Sequence, residues 1–116
     1  MPRRSILTDQ ERTALLRPPE GREDFIRHYS FGESDLTVIR QHRGNGNKIG
    51  FAIQLCYMRY PGICLVLDEN PHPAVMHFVA SELDIPADKW SDYGRRHQTR
   101  REHLVELQAV FGFTLF

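Results

Sequence analysis

The fourteen residues from Asn47 to Tyr60, NKIGFAIQLCYMRY, constrain the fold more than any other part of the chain. Read at about 100° per residue, they carry apolar groups on two faces. Ile49, Ala52, Ile53, Cys56, Tyr57 and Tyr60 line one side, and Phe51, Leu55 and Met58 line the other. Gly50 and Gln54 occupy one seam between the faces; Lys48 and Arg59 share the second. A helix that is apolar almost all round is stable only between neighbours that cover both faces. It is too short for a bilayer and carries charges, so no membrane span is expected.

The chain is 116 residues long, which suits a single domain with a real core. Its formal net charge of zero conceals a regional pattern. Residues 1–60 hold ten Arg or Lys against seven acids, residues 61–94 one Lys against six, and residues 95–116 four Arg against two. Thirteen of the fifteen cations are Arg, whose planar fork suits phosphates and base edges, although a GC-rich coding sequence produces the same bias. Cys56 and Cys64 lack metal-ligand spacing and are expected as buried free thiols. The N-terminus, MPRRSILTDQER, has no secretory apolar stretch, and a cytoplasmic location is expected.

Helix signals recur along the chain. Thr8 to Glu11 reads as a capping box opening a short helix that Pro18 and Pro19 must end. A second helix over Arg22 to Tyr29 places Phe25, Ile26 and Tyr29 on one side. Ser34 is the expected cap of a third, Asp35 to His42, with Leu36 and Ile39 inward. The run His42 to Asn47 is turn chemistry feeding the central helix, which Pro61-Gly62 closes. Ile63 to Leu67 is expected as extended coil. Pro71 and Pro73 frame a helix with a Val75, Met76, Val79, Ala80, Leu83 stripe. Pro86 opens a short helix bearing Trp90 and Tyr93, which ends at Gly94. Thr99 to Glu102 reads as a second capping box for a last helix, with Leu104, Leu107 and Phe111 inward and Gly112 as its stop. The apolar tail Phe113 to Phe116 suggests the first part of a longer protein.

Two basic turns are the candidate binding sites. The first is Arg95-Arg96-His97-Gln98-Thr99-Arg100-Arg101, which approaches a helix start where free amides favour anions. Arg95, Arg96 and Arg101 are the better phosphate contacts; Arg100 shares the angle of Leu104 and can lay its stem on the core. Gln98 and Thr99 offer neutral hydrogen bonds, with Thr99 also the expected cap. The second is Arg40, Arg43, Asn45, Asn47 and Lys48, around the turn of a helix-turn-helix-like pair, where the second helix's first residues would meet base edges. A solvated charged surface is the competing reading of both. Arg3 and Arg4 are a candidate arm. Asp68-Glu69 is read as a solvated turn, and no nucleophile triad, phosphate loop or acidic metal triad is present in the sequence. His72, His77, His97 and His103 lack ligand spacing. No cofactor, metal or catalytic residue is expected.

These strings carry a resemblance. MPRRSILT, then FIRHYSFGESDLTVIRQHRGNGNKIGFAIQLCYMRYPG, then YGRRHQTRREHLVELQAVFGF resemble the N-terminal region of Tn-three-family transposases. The resemblance runs from Met1 to Phe113 and includes the unusual strings QLCYMRYPG and QTRREHL. It implies a helical region that recognises the terminal inverted repeats of a replicative transposon. Strand cleavage and joining would belong to a distant metal-dependent domain. The resemblance assigns no residue to a base, so the two basic turns rest on the residue-level argument alone.

The expectation is an all-α domain spanning residues 1–116: a compact bundle of six or seven short helices with helix-turn-helix-like pairs around a buried central helix. Its expected partners are double-stranded transposon ends, the rest of the transposase and, in the full-length protein, a second copy. The competing class is a docking module within the transposase assembly, pointed to by the acidic block Asp68 to Asp92 and the apolar tail.

Overall fold

The computed structural model describes residues 9–63, 65, 70–93 and 97–112. They form seven α-helices and no strand: α1 Asp9–Leu15, α2 Arg22–Tyr29, α3 Glu33–Arg40, α4 Asn45–Arg59, α5 Pro73–Leu83, α6 Trp90–Tyr93 and α7 His97–Phe111. A single 3-10 turn, Ala87–Lys89, leads into α6. None of these helices is long and apolar enough to cross a membrane. The expected Thr8 capping box, Cys64, Asp68, Glu69, Gly94 and the Phe113–Phe116 tail lie outside the described residues, as do Arg3 and Arg4.

Helix α4 is the axis of the fold, and α2, α3, α5, α6 and α7 all pack on it. Every residue from Ile49 to Met58 is buried, as two apolar faces require. The seams do not behave as polar channels. Gly50 is buried, and a Cβ there would fall inside the Tyr93 ring, so the missing side chain is what lets α6 sit on α4. Gln54 is fully buried, and its Oε1 accepts from the Leu65 backbone N–H at 3.2 Å. Arg59 turns inward to Asp35, with Nη2 2.8 Å from Oδ1, and its guanidinium lies 5.7 Å from the Phe111 ring centroid.

Polar anchors fix the surrounding elements. The buried Tyr57 hydroxyl donates to the Leu16 carbonyl at 2.7 Å and accepts from the His72 N–H at 2.9 Å, tying the chain after α1 and the start of α5 to α4. The Trp90 indole N–H donates to Asn70 Oδ1 at 3.1 Å. A cis Tyr60–Pro61 bond follows α4, and the Gly62 and Ile63 N–H groups both donate to the Tyr57 carbonyl. Cys56 is a buried free thiol, and burial pushes its pKa well up, which makes it a packing group.

Several local expectations are corrected. Helix α3 begins at Glu33, so Ser34 is not its cap; Gly32 is, and its N–H donates to the Asp35 carboxylate at 2.9 Å. Helix α7 begins at His97, which puts Thr99 inside the first turn in place of the N-cap position. The central helix starts two residues earlier than expected, at Asn45. Ile26 is 43% exposed; the inward side of α2 is carried by Phe25 and Tyr29, with His28 packed on the Tyr60 ring at 4.6 Å.

Candidate nucleic-acid interface

The α3–α4 turn is shaped by Gly44, whose φ of 82° reverses the chain so that α4 departs at Asn45. The first helical hydrogen bond of α4 is Lys48 N–H to the Gly44 carbonyl at 3.1 Å, which leaves the amides of Asn45, Gly46 and Asn47 without helical acceptors. Because α4 is buried from Ile49 to Met58 and Arg59 is taken up by Asp35, its first turn is the part left open. The helix therefore presents its tip, and the side-on docking of an exposed recognition helix is not available to it.

The turn faces a second element. Arg43, Gly44, Asn45, Gly46, Asn47, Lys89 and Asp92 line an open cleft of about 370 Å³. Its two walls are held close by the pair Gly46 and Gly50, one turn apart on α4. A Cβ on Gly46 would sit 3.1 Å from Asp92 Cβ and 3.3 Å from the Lys89 carbonyl, and Gly50 seats the Tyr93 ring. The spacing Gly46-x-x-x-Gly50 was the one sequence signal that a second segment closes on α4 here. Lys89 and Asp92 were missed because they lie within an acidic block with no helical stripe of their own.

The predicted residues fare differently. Arg40, Arg43 and Asn45 are exposed, and Lys48 is half-buried. Asn47 is half-buried, and its Nδ2 donates to the Arg43 carbonyl at 2.9 Å, so the amide braces the turn and keeps Oδ1 and one N–H to spare. Arg101 is exposed on the second turn of α7. Among the described residues, no ion pair occupies the side chains of Arg40, Arg43, Lys48, Lys89 or Arg101. Arg95 and Arg96 lie outside the described residues; in sequence they follow Tyr93 by two and three positions. Gln98, Thr99 and Arg100 belong to the start of α7, with their side chains outside the described set.

An aromatic and histidine cluster joins α7 to the turn. The His42 ring lies over Phe51 with centroids 4.4 Å apart and meets the His103 ring at 4.5 Å. His103 stacks on Tyr93 at 5.3 Å, and its Nδ1 shares a 3.0 Å hydrogen bond with the Tyr93 hydroxyl. His42 Nε2 is 3.3 Å from a Glu106 carboxylate oxygen, in ion-pair range but out of line for a hydrogen bond. Burial, reinforced by nearby His42, lowers the His103 pKa to about 4, so this ring is neutral at pH 7. The cluster thus fixes α7 against the turn that carries Arg43. His103 sits one turn before Leu107 on the buried stripe, a position its spacing alone could have marked. Among the described residues, no group of three or more His, Cys, Asp or Glu side chains is placed to hold a metal ion.

The model of a domain of unknown function, DUF4158, matches residues 6–116. The chain belongs to the DUF4158 family. Over all of its length it is similar to the transposase for transposon Tn3926 from Escherichia coli, at 58% identity. It is 53% identical to the transposase for transposon Tn21 from Escherichia coli. Against the transposase for transposon Tn501 from Pseudomonas aeruginosa the identity is 48%. In each case all of this chain is covered but only 12% of the relative, so this DUF4158 chain corresponds to a small part, the N-terminal region, of Tn-three-family transposases.

Proposed function

We propose that this chain recognises duplex DNA at the terminal inverted repeats of a transposon, as the non-catalytic end-binding region of a transposase. The observation that carries the reading is the cleft at the tip of α4. Two sequence-distant elements bring Arg43 and Lys89 together with Asn45 and Asn47, and no internal ion pair occupies those cations among the described residues. Arg and Lys supply backbone phosphate contacts, while amide side chains suit base edges. Arg40, Lys48 and Arg101 extend the basic surface, and Arg95, Arg96, Gln98, Thr99 and Arg100 belong to the same proposal by sequence. The remaining transposase and a second copy are the protein partners this reading implies.

A docking role is the second reading, favoured by Val105 and Val110 on α7, which are 60% and 52% exposed. A band-shift with terminal-repeat DNA and with a scrambled duplex, at two salt concentrations, separates the two. End recognition predicts a shift that prefers the repeat and weakens with salt. Equal affinity for both duplexes removes the recognition claim, and absence of any shift leaves the docking role.

The variants Arg43→Ala and Asn47→Ala test the division of labour within the cleft. Losing Arg43 should weaken binding to every duplex alike, whereas losing Asn47 should cost about 1–3 kcal/mol on the repeat and little on scrambled DNA. Proportional losses on both duplexes in both variants would reject that division.

A further inference from the structure

Among the described residues, Asp92 is the one acid lining the basic cleft, and its surroundings set it apart from the other acids of its segment. Asp84 and Asp88 are exposed and do not line that cleft. Asp92 is also exposed, yet it stands among Arg43, Asn45, Asn47 and Lys89 without an ion pair to either cation among the described residues. Its backbone is not free to swing away. The next residue, Tyr93, is fully buried on Gly50, and Asp92 Cβ would be 3.1 Å from a Cβ on Gly46. A carboxylate carried on a fixed backbone at the mouth of a cation-lined cleft weakens any purely phosphate-binding site, because it repels the ligand at close range. The same group is useful where base edges are read. A carboxylate accepts only, and the major-groove edge of cytosine presents a lone donor, the N4 amine, that it can match.

We propose that Asp92 is a specificity-determining residue of this cleft, accepting a hydrogen bond from the exocyclic amine of a cytosine, with Lys89 beside it and Arg43 opposite on the flanking phosphates. The inference rests on the DNA reading above and names the base class and the residue that reads it. Cations on this cleft can read guanine acceptors or hold phosphates, and the carboxylate adds the acceptor that a base-edge amine requires. Asp92 also lowers affinity for sequences that place no amine opposite it, since the unpaired carboxylate then faces base acceptors or phosphates.

The test is selection from a duplex library with a randomised window, using the 116-residue chain and its Asp92→Asn, Asp92→Ala and Lys89→Ala variants. The unaltered chain should enrich a motif with one cytosine position favoured about tenfold over other bases. Asp92→Asn, which keeps the shape but gains a donor, should move that position toward adenine and leave the rest of the motif intact. Asp92→Ala should erase the preference there while strengthening binding to random-sequence DNA. Lys89→Ala should keep the motif and weaken binding to every duplex alike. Asp92 variants that retain the cytosine preference overturn the inference, and so do variants that only strengthen binding uniformly. Enrichment of no sequence by the unaltered chain removes the sequence-recognition reading itself, and the role of Asp92 falls with it. Because Asp92 is exposed, an unchanged helical circular-dichroism signal is expected for both of its variants.

Discussion

Replacing Gly50 by Ala should destabilise the protein although it adds a better helix former. In an exposed helix the change gains about 1 kcal/mol. Here the new methyl would occupy the Tyr93 ring, which is fully buried, stacked on His103 at 5.3 Å and 5.3 Å from Trp90. The ring is fully buried, so moving it displaces packed neighbours. Displacing it gives up burial comparable to losing a core aromatic, about 3–5 kcal/mol, and breaks its hydrogen bond to His103. Set against the propensity gain, a net loss of about 2–4 kcal/mol is expected. Urea titration followed by the fluorescence of Trp90, the chain's single tryptophan, measures it at the affected helix. The double variant Gly50→Ala/Tyr93→Ala should be no less stable than Tyr93→Ala alone, because the collision is then gone. A Gly50→Ala protein as stable as the unaltered chain, or more stable, would refute the seating of α6 on α4.

Two further outcomes follow from the buried polar groups. Tyr57→Phe removes the donor to Leu16 and the acceptor for His72 in one step, and should cost about 1–3 kcal/mol in the same urea assay. His103, with its folded pKa lowered from 6.5 to about 4, binds its proton more readily when unfolded. Stability should therefore be full above pH 6.5 and fall as the pH drops toward 4, by about 3 kcal/mol at most. His103→Gln should flatten that acid limb, as denaturant midpoints across pH 4–7 would register.

The parts of this fold legible in the sequence are those set by periodicity. The two-sided stripe of α4 foretold its burial, and α2 falls on Arg22–Tyr29 as its apolar spacing requires. Helix starts were misplaced where a Ser or Thr matched a capping pattern. Asp35 reaches back to Gly32 and starts α3 before Ser34 can cap it, and α7 is already helical two residues ahead of Thr99. The basic turn at residues 40–48 was visible from its composition. Its opposite wall was not, because Lys89 and Asp92 reach the cleft only through a long-range contact that no local pattern encodes. That contact leaves a trace only in Gly46 and Gly50. Arg59 shows the converse: grouped with Lys48 by helical angle, it is taken up by Asp35, 24 positions away in sequence.

The account stands most directly on the cleft as a seat for a charged backbone, and the salt dependence of duplex binding measures that. For four to six phosphate contacts, log K against log salt concentration should have a slope of about −4 to −5. Arg43→Ala/Lys89→Ala, which removes one cation from each wall, should make that slope shallower by about two units while leaving the helical signal intact. A slope near zero in the unaltered chain, or one that the double variant leaves unchanged, would contradict the assignment of this cleft as the DNA-binding face.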